Sequence, residues 1–187
     1  MIIAEIGTDI GATTVEVCKQ LDANDVYYCF DYEDKVHTLI SDLKLLPEVS
    51  CQLVAKGNSH KTLNSYSWSL CKMLFEMRNN NSKGIFDLVY LDGSHSFIHD
   101  GLSCCILKEL LKDKGIIIFD DMYWSYENRP TCNPKVSPGT SNLFTEEQIK
   151  DCQVKRVVEA FMIDDKRFKQ IYIKGISNND RAIFQKD

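Results

Sequence analysis

The chain of 187 residues is 44% hydrophobic and 26% charged, an ordinary globular mixture that fits one domain (residues 1–187) able to bury about 70% of its unfolded surface. Twenty-two basic against 27 acidic residues leave a net charge of −5 with no basic stripe, which argues against a nucleic-acid partner held by its phosphates. No apolar run approaches the roughly 20 residues that cross a bilayer, and Met1-Ile2-Ile3-Ala4-Glu5 has neither the cationic region nor the apolar core of a secretion signal, so no membrane association and a cytoplasmic location are expected.

Short β-rich runs alternate with segments of helical period, the pattern of βαβ units around a parallel sheet. Ile2 to Ile6 reads as a first strand broken at Gly7, and Thr13 to Leu21 as a helix with Val17, Cys18 and Leu21 on one face. Val26 to Phe30 is a second strand; Val36, Leu39, Ile40 and Leu43 then mark a helix that stops at Pro47. Val49 to Ala55 is a third strand, and Leu63 to Met77 a helix burying Leu63, Leu70, Leu74 and Met77. Phe86 to Leu91 and Ile116 to Phe119 are strands covered on both faces, joined by a helix from Phe97 to Leu111 and a turn at Asp113 to Gly115.

The pattern then lapses. Asn128 to Leu143 carries Pro130, Pro134 and Pro138, and so long an unpatterned stretch inside a compact domain is often a binding lid. Thr145-Glu146-Glu147-Gln148 is a capping box that opens a helix with Val154, Val157, Val158 and Phe161 as its buried stripe. Phe168 to Ile173 and Arg181 to Phe184 close the chain as strands. The eight cysteines show no C-x-x-C spacing, so reduced thiols in a core are expected rather than zinc ligands or a redox pair.

Ligands of an open parallel sheet bind beyond the carboxyl ends of its strands. The five strands end at Glu5 and Gly7, at Asp31, at Gly57-Asn58-Ser59, at Asp92, and at Asp120-Asp121, so each delivers glycine, acid or amide to the same edge. Glu5-x-Gly7-x-x-x-Gly11 is not the G-x-G-x-x-G turn of dinucleotide folds, but Asp31 stands where such folds hold ribose hydroxyls; together they predict a nucleoside cofactor without a pyrophosphate. If their strands are neighbours, Asp92, Asp120 and Asp121 converge, and three carboxylates ionise together cheaply only around a cation such as Mg²⁺ or Mn²⁺. Adjacent strand residues face opposite ways, so both members of the Asp120-Asp121 pair can join only if the chain leaves strand geometry there. His95 and His99 lack the glutamate of a zinc-hydrolase H-E-x-x-H.

With these residues, and with Phe86-Asp87-Leu88-Val89-Tyr90-Leu91-Asp92-Gly93-Ser94-His95 followed by Gly115-Ile116-Ile117-Ile118-Phe119-Asp120-Asp121, the chain resembles the class I S-adenosylmethionine-dependent methyltransferases, in the branch of metal-dependent sugar and macrolide O-methyltransferases. The resemblance implies an α/β, Rossmann-like three-layer sandwich with a seven-stranded sheet of order 3-2-1-4-5-7-6, the last strand antiparallel. It implies that Glu5, Gly7, Thr8, Gly11 and Thr13 line the methionine end of S-adenosylmethionine, that Asp31 and Tyr32 hold the ribose, that Asn58 and Ser59 flank the adenine, and that Asp92 reaches both cofactor and metal. Asp92, Asp120 and Asp121 then match the divalent-metal ligands, and His95 the catalytic base. Relatives carry helices before the first strand, whereas Met1 here is almost in it, so the site is expected to be more open or covered by another subunit or by the loop from Asn128.

The expected activity is metal-assisted O-methylation of a small hydroxylated molecule such as a sugar. Tyr123, Trp124 and Tyr126 offer a wall for it, and Arg129 a cation for an acidic group. The competing readings are an NAD(P)-dependent oxidoreductase, disfavoured by the missing G-x-G-x-x-G and Tyr-x-x-x-Lys, and a cofactor-binding module without catalysis.

Overall fold

A computed structural model describes residues 1–59 and 66–187. His60 and the predicted helix start at Leu63 lie outside the described residues. A seven-stranded sheet of order β3-β2-β1-β4-β5-β7-β6 runs through the molecule, formed by β1 (Ile2–Ile6), β2 (Val26–Tyr32), β3 (Gln52–Asn58), β4 (Phe86–Leu91), β5 (Leu111–Phe119), β6 (Phe168–Gln170) and β7 (Ala182–Lys186). Strands β1 to β5 pair in parallel, while β7 runs antiparallel to both β5 and β6. The topology and the antiparallel final strand are those the sequence implies.

Two helical layers follow from the two-residue period of the strands. Ile3, Tyr27 and Cys29 face α1 (Ala12–Cys18) and α2 (Glu33–Leu43), burying Cys18, Val36 and Ile40. Their neighbours Ala4, Ile6 and Phe30, with Val89, Leu91, Ile117 and Phe119, face α3 (Tyr66–Asn79), α4 (Phe97–Leu110) and α7 (Gln153–Phe161), whose Leu70, Leu107 and Val157 complete the larger core. Among the described residues, no helix is long and apolar enough to cross a membrane. All eight cysteines are free; Cys18, Cys29, Cys51 and Cys104 are buried, whereas Cys71, Cys132 and Cys152 are partly exposed and Cys105 is exposed.

Several boundaries differ from the sequence reading: α1 ends at Cys18 rather than Leu21, β2 runs on to Tyr32, β6 stops at Gln170 rather than Ile173 and β7 runs from Ala182 to Lys186. Strand β3 starts at Gln52 rather than Val49, because Val49 N–H closes a turn onto the Leu46 carbonyl. Strand β5 starts at Leu111 and absorbs the predicted turn, with Lys114 at φ 64° and an irregular register opposite Phe86 and Leu88. The single helix expected from Thr145 is two, α6 (Glu146–Lys150) and α7, because Asp151 is extended at ψ 151°. Gln153 spans that break: its amide donates to the Gln148 carbonyl and its carbonyl accepts from Phe97 N–H. The Thr145/Gln148 capping box is present in both directions.

The stretch from Asn128 to Leu143 is built of turns ending in the short α5 (Thr140–Leu143). It is stapled to itself where the Thr140 hydroxyl donates to the Cys132 carbonyl and Asn133 to that of Glu127. Phe119, fully buried and edge-on to Phe184 at 6.2 Å, locks β5 to β7. Phe119→Ala should therefore cost about 3–5 kcal/mol in urea unfolding, whereas truncating the exposed Leu45 to Ala should change stability by less than about 0.5 kcal/mol.

Candidate active site

The carboxyl ends of β1 to β5 open into a cavity of about 570 Å³, lined from every one of those strands: Gly7, Tyr32 with Asp31, Asn58, Asp92 to His95, and Asp121. Lys35 of α2, Tyr66 of α3, His99 of α4 and the segment holding Trp124, Arg129, Thr131 and Cys132 complete the wall.

Gly7 and Gly11 are glycines because of the chain rather than because of a ligand. Gly7 has φ 87°, and a Cβ there would lie 2.0 Å from the Asp92 carbonyl oxygen; Gly11 has φ 77° and its missing Cβ would strike Leu39. The first clamps the turn after β1 to the turn after β4, and the second seats α1 on α2. Asp31 fastens the same turn from the other side: its carboxylate accepts from Thr8 N–H at 2.9 Å, Asp9 N–H at 2.8 Å and Tyr32 N–H at 2.6 Å.

Of the expected cofactor residues, Gly7, Asp31, Tyr32, Asn58 and Asp92 line the cavity, while Glu5, Thr8, Gly11, Thr13 and Ser59 are not among its lining residues. The reasons are local. Glu5 is buried beneath the turn, accepting from the Thr14 and Tyr27 hydroxyls, and Thr8 is spent on Asp31. Thr13 sits on α1, and Ser59 adjoins Asn58 across a 3.5 Å contact from the Asn58 amide to its carbonyl. Asn58 Oδ1 is buried, at the cavity, and has no hydrogen-bond donor among the described residues.

At the opposite end the structure brings Asp92, His95 and Asp121 together, with one donor atom from each within 4.8 Å of the others. His95 Nε2 lies 3.8 Å from Asp92 and 3.5 Å from Asp121. Asp120 is not part of this group. Its carboxylate takes Arg181 Nε at 3.0 Å and Nη2 at 3.1 Å as well as the Tyr90 hydroxyl. Burial opposes its ionisation, but Arg181 and Tyr90 outweigh that and hold it below the ordinary carboxylate range. The chain does leave strand geometry, Asp121 lying at φ 55°, and the outcome is to send the two aspartates apart. The three-aspartate cluster is thereby corrected to two aspartates and a histidine.

Asp9, His95 and Asp121 are non-glycine residues at positive φ, and all three line the cavity, a concentration of backbone strain where the polar groups converge. Burial pushes the Asp92 carboxyl up to about 7, with Asp120 and Asp121 adding repulsion. Burial also lowers the His95 pKa, favouring the neutral imidazole; its Nδ1 is buried without a partner among the described residues, and the ring lies 4.9 Å from that of Trp124.

The aromatic wall divides. Trp124 faces the cavity, Tyr126 packs behind it and stacks on Phe144, and Tyr123 turns outward under the Lys155 ammonium. Arg129 is at the cavity, with its guanidinium paired to Asp121 at 3.1 Å.

Tyr66, Asp100 and Arg181 escape the sequence reading. Asp100, in the first turn of α4, accepts from the Tyr66 hydroxyl at 3.1 Å and from Ser94 N–H at 3.2 Å, and Ser94 N–H also reaches the Tyr66 oxygen at 2.6 Å. This buried knot holds the loop between Asp92 and His95, and a Cβ on Gly93 would fall 2.2 Å from Asp100. In sequence Asp100 is one more acid near a helix start. Arg181 lies 61 residues from Asp120 and carries no local signal.

A family described as "Methyltransferase domain" matches residues 4–122. No curated protein matches. Among solved structures, a provisionally named O-methyltransferase from Klebsiella pneumoniae is 15% identical with a TM-score of 0.58, over all of this chain and 73% of that one. The O-methyltransferase from Bacillus cereus in complex with SAH is 14% identical with a TM-score of 0.56, over 99% of this chain and 73% of that one. The MycE methyltransferase from the mycinamycin biosynthetic pathway, in complex with Mg and SAH, is 16% identical with a TM-score of 0.56, over 99% of this chain but 44% of that one. At these identities the likeness is one of fold.

Glu5 gives the site a pH signature. Burial raises its carboxyl from 4.5 to about 7 despite the Thr14 and Tyr27 hydrogen bonds, so the folded state holds the proton more tightly than the unfolded chain. The stabilisation is complete below pH 4.5 and is lost as pH rises to about 7. Urea unfolding at pH 5 and pH 8 should therefore show wild type losing more stability over that interval than Glu5→Gln.

Proposed function

The chain belongs to the methyltransferase domain family, and on that premise we propose that it transfers a methyl group from S-adenosylmethionine to a hydroxyl of a small molecule, such as a sugar or sugar-bearing metabolite, at the Asp92–His95–Asp121 cluster. The observation that carries this is the placement of two carboxylates and a neutral imidazole in one cavity with the cofactor-side residues Gly7, Asp31 and Asn58.

The residues present suit both absent groups. Asn58 Oδ1, a buried acceptor with no donor among the described residues, suits an adenine amino group, and Asp31 lines the same cavity for ribose hydroxyls. Asp92, pushed up to about 7, is relieved by a neighbouring cation, and the Asp92 and Asp121 carboxylates suit a divalent ion, which leaves His95 Nε2 for the acceptor proton. When bound, S-adenosylmethionine supplies a methyl group on a sulfonium whose displacement demands in-line alignment. A divalent ion such as Mg²⁺ supplies a Lewis acid that lowers a hydroxyl pKa.

The chain's own groups do the rest. The Gly7–Asp92 contact fixes the distance between the cofactor and acceptor ends. Asp92 and Asp121 face the acceptor side, where their carboxylates would hold the divalent ion. His95, neutral through burial, takes the hydroxyl proton, and Trp124 holds its ring in place. Trp124 also separates the cavity from a shallower hollow of about 250 Å³ lined by Tyr123, Asn128 and Asp180, an aromatic face with planar polar groups suited to a hydroxylated acceptor. The net charge of −5 and the free thiols support a small-molecule acceptor in a reducing cytoplasm rather than a nucleic acid.

Titration calorimetry should show binding of S-adenosylhomocysteine and none of NAD; heat with NAD alone would end this reading. Against a panel of hydroxylated acceptors, His95→Ala should lower kcat by roughly 10²–10⁴. Asp92→Ala should abolish turnover while keeping most S-adenosylhomocysteine affinity, and EDTA should suppress the wild-type rate. Full activity of Asp92→Ala would remove the metal from the mechanism.

A further inference from the structure

The helices of the two layers meet solvent by different rules. From Glu33 to Asp42, every exposed position of α2 is polar or charged. On α4 the exposed positions are Phe97, Ile98, Leu102 and Cys105, without one charge among them. Helix α3, packed beside it, adds Trp68 and Phe75, with the exposed Lys72 between them. Trp68 is 58% exposed, Phe75 54%, Phe97 39%, Ile98 68% and Leu102 53%. Positions 98, 102 and 105, like 68 and 75, recur at helical spacing on the sides turned away from the buried Leu107 and Leu70. The two rows therefore form one outward face. An exposed thiol within an apolar row is what a covered surface carries.

We infer that the α3–α4 face is a homodimer interface, closed by a second copy of this chain across a two-fold axis. Area is the first reason. At roughly 150–200 Å² per large side chain, these five expose on the order of 500 Å². A partner in a standard interface contributes about 800 Å², and a homodimer interface is about 65% apolar, which comes to the same figure. Charge is the second. Lys72 and Glu76 on α3 offer both signs, which an isologous copy can meet in exchange, while Arg156 and Glu159 on the flanking α7 already pair with each other at 2.8 Å and add no net charge. A lipid surface would call for a cationic rim instead, on a chain that is net acidic. The interface would also bear on the site, because Phe97 and Ile98 open α4 directly after the loop that carries His95.

Sedimentation equilibrium of the full chain at micromolar concentrations decides it. Wild type should run at twice the chain mass of 21.5 kDa. Leu102→Glu on one helix and Trp68→Glu on the other should each run at the chain mass, with dimerisation weakened at least about 100-fold and the circular dichroism of wild type. Ile98→Lys, at the most exposed position, gives the same readout should a glutamate at 102 disturb α4. Wild type that stays monomeric overturns the inference, as does a folded set of variants that stays dimeric, or a monomeric wild type that sediments with anionic vesicles. None of these outcomes touches the methyl-transfer reading, which rests on S-adenosylhomocysteine binding and turnover.

Discussion

Everything at the carboxyl edge of the sheet depends on how closely the turn after β1 approaches the turn after β4. Gly7 lies against the Asp92 carbonyl with no room for a methyl group, and its φ of 87° is one that a side chain rarely tolerates. That contact joins the half of the cavity that faces Asp31 and Asn58 to the half that faces Asp121. Asp31 reinforces it by gathering three backbone N–H groups, so the turn is held without a pyrophosphate-type glycine loop. The first demand on these residues is to shape the cavity, and their exposed edges are what remains for a ligand.

The fold was legible because its signals are periodic. Strand β4 and the Ile116–Phe119 half of β5 are nearly continuous apolar runs, the helices between strands carry a buried stripe, and the resemblance supplied the strand order. Boundaries slipped where hydrogen bonds outside the pattern intervened, as at Asp151, whose extended backbone splits a helix that the apolar spacing of Val154 to Phe161 would continue. The site was legible by strand end but not by side-chain partner. Asp92, His95 and Asp121 could be placed because each follows a strand. Asp120 could not, because its partner Arg181 is distant in sequence and only the β5–β7 pairing brings the two together. Tyr66 and Asp100 were invisible for a similar reason: a buried hydrogen-bond knot has no sequence period.

Polarity is divided within the cavity in a way that suits one cationic and one neutral guest. Acids sit on both sides, and each cation of the wall is already engaged, Lys35 with Asp9 and Arg129 with Asp121. The segment from Asn128 is held by its own Asn133 and Thr140 hydrogen bonds, which makes the wall it supplies a built surface. Trp124 and His95, in tilted ring contact at the junction, mark where the two guests would meet.

The antiparallel strand β7 has a consequence for the order of assembly. Arg181, which claims Asp120 and leaves Asp121 to His95, stands just before that strand, and β7 inserts between β5 and a strand made earlier. On a ribosome the five parallel strands can associate while Arg181 is still unsynthesised, with two adjacent aspartates competing for the same position. The Asp92–His95–Asp121 grouping is thus among the last features to form, and a nascent chain would carry the half of the cavity at Asp31 and Asn58 before Asp120 had met its partner.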